Sequence, residues 1–268
     1  MHVNLEVIHH PALGIPRPCP PLLFVHGAFS SARCWEINFI PWLTARGYDC
    51  WAFSFRGHGN SSGRDFLSLA SLDHYRYDLA QTIAELPAPP ILIGHGMGGL
   101  VIQQWLHHGT VPAVAMLASV PPISGGCSML QLAMTNPCAL LLSLNALHEE
   151  SPEATVIQQL REIMFSPQTS DDLIKSNLHC FQPESHRALI DLSVLSFEPI
   201  PAERRPPLLM LAGEEDQLLP HHLVHAAAAH CGINGKTLPH IGHALMLDTQ
   251  WESVVLALFE WLENIASQ

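Results

Sequence analysis

The stretch "PPILIGHGMGGLVIQQWL", Pro89 to Leu106, decides how the rest of the chain is read. It opens as a short apolar run that predicts a strand. A tight glycine turn follows, and then a helical pattern from about Gly98 to His108. Two chemistries use such a turn. Read as G-x-G-x-x-G, the glycines Gly94, Gly96 and Gly99 would cradle the pyrophosphate of a dinucleotide. Read as G-x-S-x-G, the turn is a nucleophile elbow with Gly96 standing where the serine would be.

The dinucleotide reading requires an Asp or Glu about 20 residues further on, at the end of the next strand, to hold the ribose hydroxyls. Here that strand ends "MLASVPP", and no Asp, Glu, Lys or Arg lies between Glu85 and Glu149. The turn also follows earlier strands, whereas the fingerprint usually opens a domain. This reading is set aside, and no nucleotide or other cofactor is expected. The charge-free span itself predicts deep burial or a water-poor cavity, because desolvating charge is costly.

The remaining sequence bounds the class. With 268 residues, 48% apolar and 13% charged, the chain suits one large α/β domain, or one with an insertion. A formal charge of -12 argues against nucleic acid or an anionic membrane surface as a partner. The 7 cysteines are odd in number and lack C-x-x-C spacing, which predicts free thiols in a reducing compartment. No signal-peptide pattern and no membrane-spanning apolar run is read, so a cytoplasmic protein is expected. The pairs His9-His10, His107-His108 and His221-His222 are adjacent, unlike an i, i+4 metal pair. Surface histidines and no metal are expected.

Along the chain, "HVNLEVIHH" alternates as an edge strand would, while "PPLLFVHG" and "YDCWAFSF" are continuous apolar runs suited to buried strands. Residues 73–86 predict a helix capped by Asp73 and stopped by Pro87. The strands "ILIG" and "PAVAMLAS" follow, then helical patterns from Pro121 to about Pro201 such as "MLQLAMTNPCALLLSLNAL" and "EATVIQQLREIMF". "PPLLMLAG" resumes the strands. A helix at His221 to His230, the strand "KTLP" and the helix "QWESVVLALFEWLENI" end the chain. Alternating strands and helices predict a mostly parallel sheet covered by helices on both faces. The expected division is a core at 1–120 and 201–268 with a helical cap at 121–200.

The segments "HGAFSSARCW", "FRGHGNSSG", "GHGMGGL", "GEEDQLLP" and "GHALMLD" occur in this order over almost the whole chain. In this combination the sequence resembles the α/β-hydrolase superfamily, esterase-like serine hydrolases with a helical cap. A small departure is Ser54, where the family often has Asp two residues before the Arg of its "RG" loop. The large one is Gly96, at the nucleophile position.

The resemblance implies roles. Asp216 would orient His243, since a carboxylate accepting from one ring nitrogen fixes the tautomer and leaves the other nitrogen as base. The N–H groups of Ala28 and Met97 would form the oxyanion hole. His26 and His95 would pack and hydrogen-bond, and Glu214 and Glu215 would be solvated turn residues. Phe29 and Trp35 could wall a substrate pocket. The cap methionines Met129, Met134 and Met164 are adaptable packers, some beside an apolar acyl or aromatic group. The implied substrate is a small to medium apolar ester or acyl compound.

Glycine tolerates the strained, positive-φ backbone of an elbow better than any other residue. It offers no Oγ, so no acyl-enzyme can form there, and Ser30, Ser119, Cys34 and Cys127 lie off the elbow. Three readings stay open: an esterase-type hydrolase whose serine was replaced, a natively serine-less enzyme using Asp216 and His243 as a general base on water or substrate, and a binding protein on a hydrolase scaffold.

Overall fold

The computed structural model describes residues 3–120, 153–194 and 198–266. Among them, β1 (Glu6–His10), β2 (Leu22–Val25), β3 (Cys50–Ser54), β4 (Ile91–His95), β5 (Val114–Leu117), β6 (Leu208–Gly213) and β7 (Lys236–Leu238) form one sheet. Its order is β1-β3-β2-β4-β5-β6-β7. Every neighbouring pair is parallel except β1 with β3. Parallel pairing demands crossovers, which helices supply, and strands so covered read as unbroken apolar runs. β2, β4 and β5 are buried at every residue.

The helices are α1 (Arg33–Glu36), α2 (Phe39–Thr44), α3 (Leu72–Glu85), α4 (Met97–Trp105), α5 (Glu153–Met164), α6 (Asp171–Ser176), α7 (His186–Val194), α8 (His221–His230) and α9 (Trp251–Ala266). The α/β architecture is as expected, with two local corrections. Ser71, not Asp73, caps α3: its hydroxyl accepts from His74 N at 3.2 Å while His74 Nδ1 accepts from Ser71 N at 3.1 Å. That is a capping box with histidine in the position usually held by Glu or Gln. The helix after the glycine turn begins at Met97, one residue earlier than its pattern suggests.

Within the charge-free span, β4, β5 and nearly all of α4 are buried, whereas its connecting turns at residues 87–89, His108, Thr110 and Pro112 are exposed. Its continuation, with Met129, Met134, Cys127 and "MLQLAMTNPCALLLSLNAL", lies outside the described residues. Met164, at the end of α5, is buried. Residues 153–194 meet the rest of the molecule through several loops, among them bonds in which Ala244 N donates to Met164 O at 2.7 Å and Gln182 N donates to Phe29 O at 2.9 Å.

The Ser54 departure has a local compensation. Ser54 Oγ accepts from Ala32 N at 3.0 Å and donates to Glu6 Oε2 at 2.6 Å. A carboxylate from the edge strand thus backs the hydroxyl, and the loop after β2 stays anchored.

Candidate active site

β4 ends at His95, and Gly96 turns the chain with φ 51° and ψ -117° into α4. The bend is fixed on both sides: Gly96 N donates to Leu117 O at 3.0 Å and Val120 N donates to Gly96 O at 3.1 Å. Strand and helix approach so closely that a Cβ on Gly98 would lie 2.3 Å from His26 O, and one on Gly99 would lie 2.2 Å from Ser119 Oγ. Small residues here are therefore a packing requirement. Position 96 differs. A Cβ built there would meet His243 Nε2 at 3.4 Å and nothing closer, so space exists and only the positive φ opposes a side chain.

His243 sits in the loop between β7 and α9, with its ring 5% exposed as a residue and its Nδ1 2.8 Å from Asp216 Oδ2. Asp216 follows β6, and its other oxygen accepts from Leu218 N at 2.9 Å and Leu219 N at 2.7 Å. The carboxylate is thus held by backbone on one side and presents one oxygen to the imidazole on the other. Carbonyl and carboxylate oxygens only accept, so the proton lies on Nδ1 and Nε2 faces position 96.

The ring is braced further. His95 Nε2 donates to His243 O at 2.9 Å, and the two rings stand 4.7 Å apart. Asp248, fully buried, accepts from Gly242 N at 3.0 Å, Ser166 N at 2.8 Å, Ser166 Oγ at 2.8 Å and Thr169 Oγ1 at 3.2 Å. This carboxylate ties the His243 loop to the segment that follows α5, and no local pattern in the sequence assigns it a role. The signal lay in the last letter of "GHALMLD".

His26 and His95 are, as expected, structural groups. His26 Nδ1 donates to Gly27 O at 2.8 Å and its Nε2 accepts from Phe55 N at 3.0 Å. Burial, then His58, pushes His26 down to about 3. Burial, then His243, does the same to His95, also to about 3. Unfolded, both titrate near 6.5, so below that pH the unfolded state binds more protons and stability falls as pH falls. Each ring then removes about 2 kcal/mol between pH 7.5 and pH 5. Urea unfolding at the two pH values should show a markedly lower midpoint at pH 5, and an unchanged midpoint would contradict the buried neutral assignment.

Met97 is the first residue of α4, so its N–H has no acceptor within the helix. Among the described residues the Ala28 N–H has no protein acceptor either. The loop carrying Ala28 touches the elbow, since a Cβ on Gly27 would lie 2.5 Å from His95 Nδ1. Phe29, beside it, is half-buried with φ 61°.

Trp35 stands elsewhere. It has no exposed surface and packs on Phe24 at 5.1 Å, Phe39 at 5.7 Å and His95 at 6.5 Å between ring centroids. It is core behind the elbow rather than a pocket wall. Glu215 is also less solvated than expected, accepting from His240 Nδ1 at 3.2 Å and Gln168 Nε2 at 3.3 Å. Ligand atoms of Glu214, Glu215 and His240 lie within 4.8 Å of one another at this exposed turn. The five described cysteines are free thiols.

Elbow, acid and histidine in this order and geometry agree with a family comparison in which the alpha/beta hydrolase model matches residues 22–257. The chain belongs to the alpha/beta hydrolase family. The matched relatives include a pyrethroid hydrolase of Sphingobium wenxiniae, 35% identical over 89 residues, which are 32% of this chain and 31% of the relative. Protein phosphatase methylesterase 1 of Bos taurus is 28% identical over 110 residues, 40% of this chain and 29% of the relative. The matches thus span about a third of each relative.

Among solved structures, BpoC of Mycobacterium tuberculosis superposes with TM-score 0.77 at 20% identity, covering 99% of this chain and 97% of that one. An esterase of Thermogutta terrifontis gives 0.74 at 17%, covering 98% and 94%. A bromoperoxidase of Bacillus anthracis gives 0.71 at 20%, covering 97% and 96%. These likenesses establish the α/β-hydrolase fold. Among the described residues no helix is long and apolar enough to cross a membrane.

Proposed function

We propose that this family member is a carboxylic-ester hydrolase for small to medium apolar substrates, working without an elbow nucleophile. Asp216 and His243 act as a general base on water, and the N–H groups of Ala28 and Met97 receive the developing oxyanion. The observation that carries the reading is the aim of His243: Nε2 lies 3.4 Å from where a Cβ at position 96 would stand, while Nδ1 is held by a buried carboxylate. An imidazole so placed can take a proton from water attacking a carbonyl held at the bend. The esterase-like relatives support an ester as substrate, and the insertion serves as its cap.

The products balance as in any ester hydrolysis. Water supplies its oxygen to the acyl carbon, its proton passes to Nε2, and that proton leaves with the alkoxide. General-base assistance of this kind is worth about 10²–10⁴-fold. Purified protein should therefore hydrolyse short activated esters, and His243→Ala should lower kcat/KM by about that factor. Equal rates in the two proteins would eliminate a histidine base. Tight binding of an ester that is never cleaved would replace hydrolysis with ligand binding as the function.

A further inference from the structure

A second buried carboxylate lies on the far side of the oxyanion-hole loop. Glu184, in the segment between α6 and α7, is carried in by the insertion, and its side chain is wholly buried. Its Oε1 accepts from Tyr75 Oη at 2.6 Å and from Ser185 N at 2.6 Å. Its Oε2 accepts from Phe29 N at 3.3 Å and lies 3.2 Å from His58 Nε2. One carboxylate thereby joins the insertion, α3, the "RGHG" loop and the loop after β2.

The same insertion segment holds the other polar groups of that loop. Gln182 N donates to Phe29 O at 2.9 Å, Gln182 Nε2 donates to Ser30 O, and Ser30 Oγ donates to Cys180 O at 3.3 Å. Phe29 has φ 61°, a left-handed backbone that a non-glycine residue keeps only when its surroundings impose it. Both its N–H and its C=O are bound by the insertion. If its peptide turned, the adjoining Ala28 would turn with it.

Burial by itself would raise the carboxyl's pKa, but His58, Tyr75 and the Ser185 N–H outweigh it, so Glu184 is held below the ordinary range and stays charged. A buried ion is poor value as packing, because apolar side chains of the same volume stabilise at least as well. What it adds is a fixed acceptor that no apolar group could offer to Phe29 N–H.

We infer that Glu184 is a positioning residue for the oxyanion hole: through the Phe29 N–H it fixes the loop that presents the Ala28 N–H to the substrate carbonyl. The inference rests on the hydrolase reading for its chemistry, and on the hydrogen bonds above for its geometry. The hole is then built jointly by the core and the insertion.

Glu184→Gln tests it. Glutamine carries a donor on one side, so it must face either Phe29 N–H or the Tyr75 and Ser185 donors with a donor of its own. In the chain as it stands, amide exchange in a peptide covering residues 26–30 should accelerate by about tenfold or more, with the peptide covering residues 91–105 unchanged. Combined with Gly96→Ser, the variant should lower kcat on an activated ester by about 10–100-fold, with KM within about twofold.

Unchanged exchange at residues 26–30 overturns the assignment, as does a loss confined to KM. If Glu184→Gln fails to fold, Tyr75→Phe removes one donor from the same carboxylate. It should accelerate exchange in that same peptide, and no acceleration overturns the assignment. Should both the unchanged chain and the Gly96→Ser chain prove inert on every ester, the hydrolase reading fails, and the exchange experiment still decides the role of Glu184 in holding the loop.

Discussion

Gly96→Ser should convert this chain into an acyl-enzyme hydrolase, raising kcat/KM on activated apolar esters by about three orders of magnitude or more. The surroundings of position 96 favour the change. The Cβ has room, with His243 Nε2 at 3.4 Å and Ala118 O at 3.9 Å as the nearest atoms of note. One further C–O bond brings a hydroxyl into hydrogen-bond reach of Nε2. The backbone already holds φ 51°, the strained setting an elbow imposes on its nucleophile. That strain is the cost: a non-glycine residue at such a φ loses about 1–2 kcal/mol, or roughly 2–8 °C in Tm for a domain of this size. The variant should be faster and less stable together. A gain in Tm, or a rate no different from the unchanged chain, would contradict the elbow reading.

Asp216→Asn should remove nearly all His243-dependent turnover, about the 10²–10⁴-fold that the histidine base contributes, without unfolding the protein. The argument lies in how the two oxygens are used. Oδ1 accepts from Leu218 N and Leu219 N, and an asparagine carbonyl oxygen can keep both bonds. The amide NH2 must then face His243 Nδ1, where the carboxylate oxygen lies at 2.8 Å. A donor there demands an unprotonated Nδ1 and drives the ring proton to Nε2, the nitrogen that has to act as base. Asp216→Ala would confound this test, because it also releases the two backbone amides. Melting temperatures and kcat/KM measured together separate the two effects: a large rate loss with a small change in Tm is the expected pair. A rate within about tenfold of the parent chain would show that the carboxylate does not set the tautomer.

Much of this was readable before any coordinates. The elbow was legible because an apolar run, a glycine cluster and a helical period adjoin in one stretch, so local rules suffice there. Asp216 and His243 were legible from their chain order, each just past the end of a strand. What escaped were contacts that join distant segments. Ser71 and Asp73 are both good cap residues. Leu72 N donates to Asp191 Oδ2 at 3.2 Å, a bond across 119 positions that no local pattern announces.

Trp35 lies next to the "HG" loop in sequence, which suggested a pocket wall, yet its ring turns inward to Phe24 and His95. Buried carboxylates are the hardest to read, since composition rules place them outside. Glu184, Asp248 and Glu6 each find their donors across loops more than forty residues apart, or within a single motif whose meaning is three-dimensional. Glu214 is the solvated turn residue that local rules expect, whereas its neighbour Glu215 is drawn into contacts with His240 and Gln168.

The most direct measurement is the intact mass of the Gly96→Ser protein after exposure to an alkyl fluorophosphonate. One adduct per chain, located at position 96 and absent when His243→Ala is added, is the predicted result. No adduct, or one whose formation ignores His243, would mean that the imidazole is not poised over the bend.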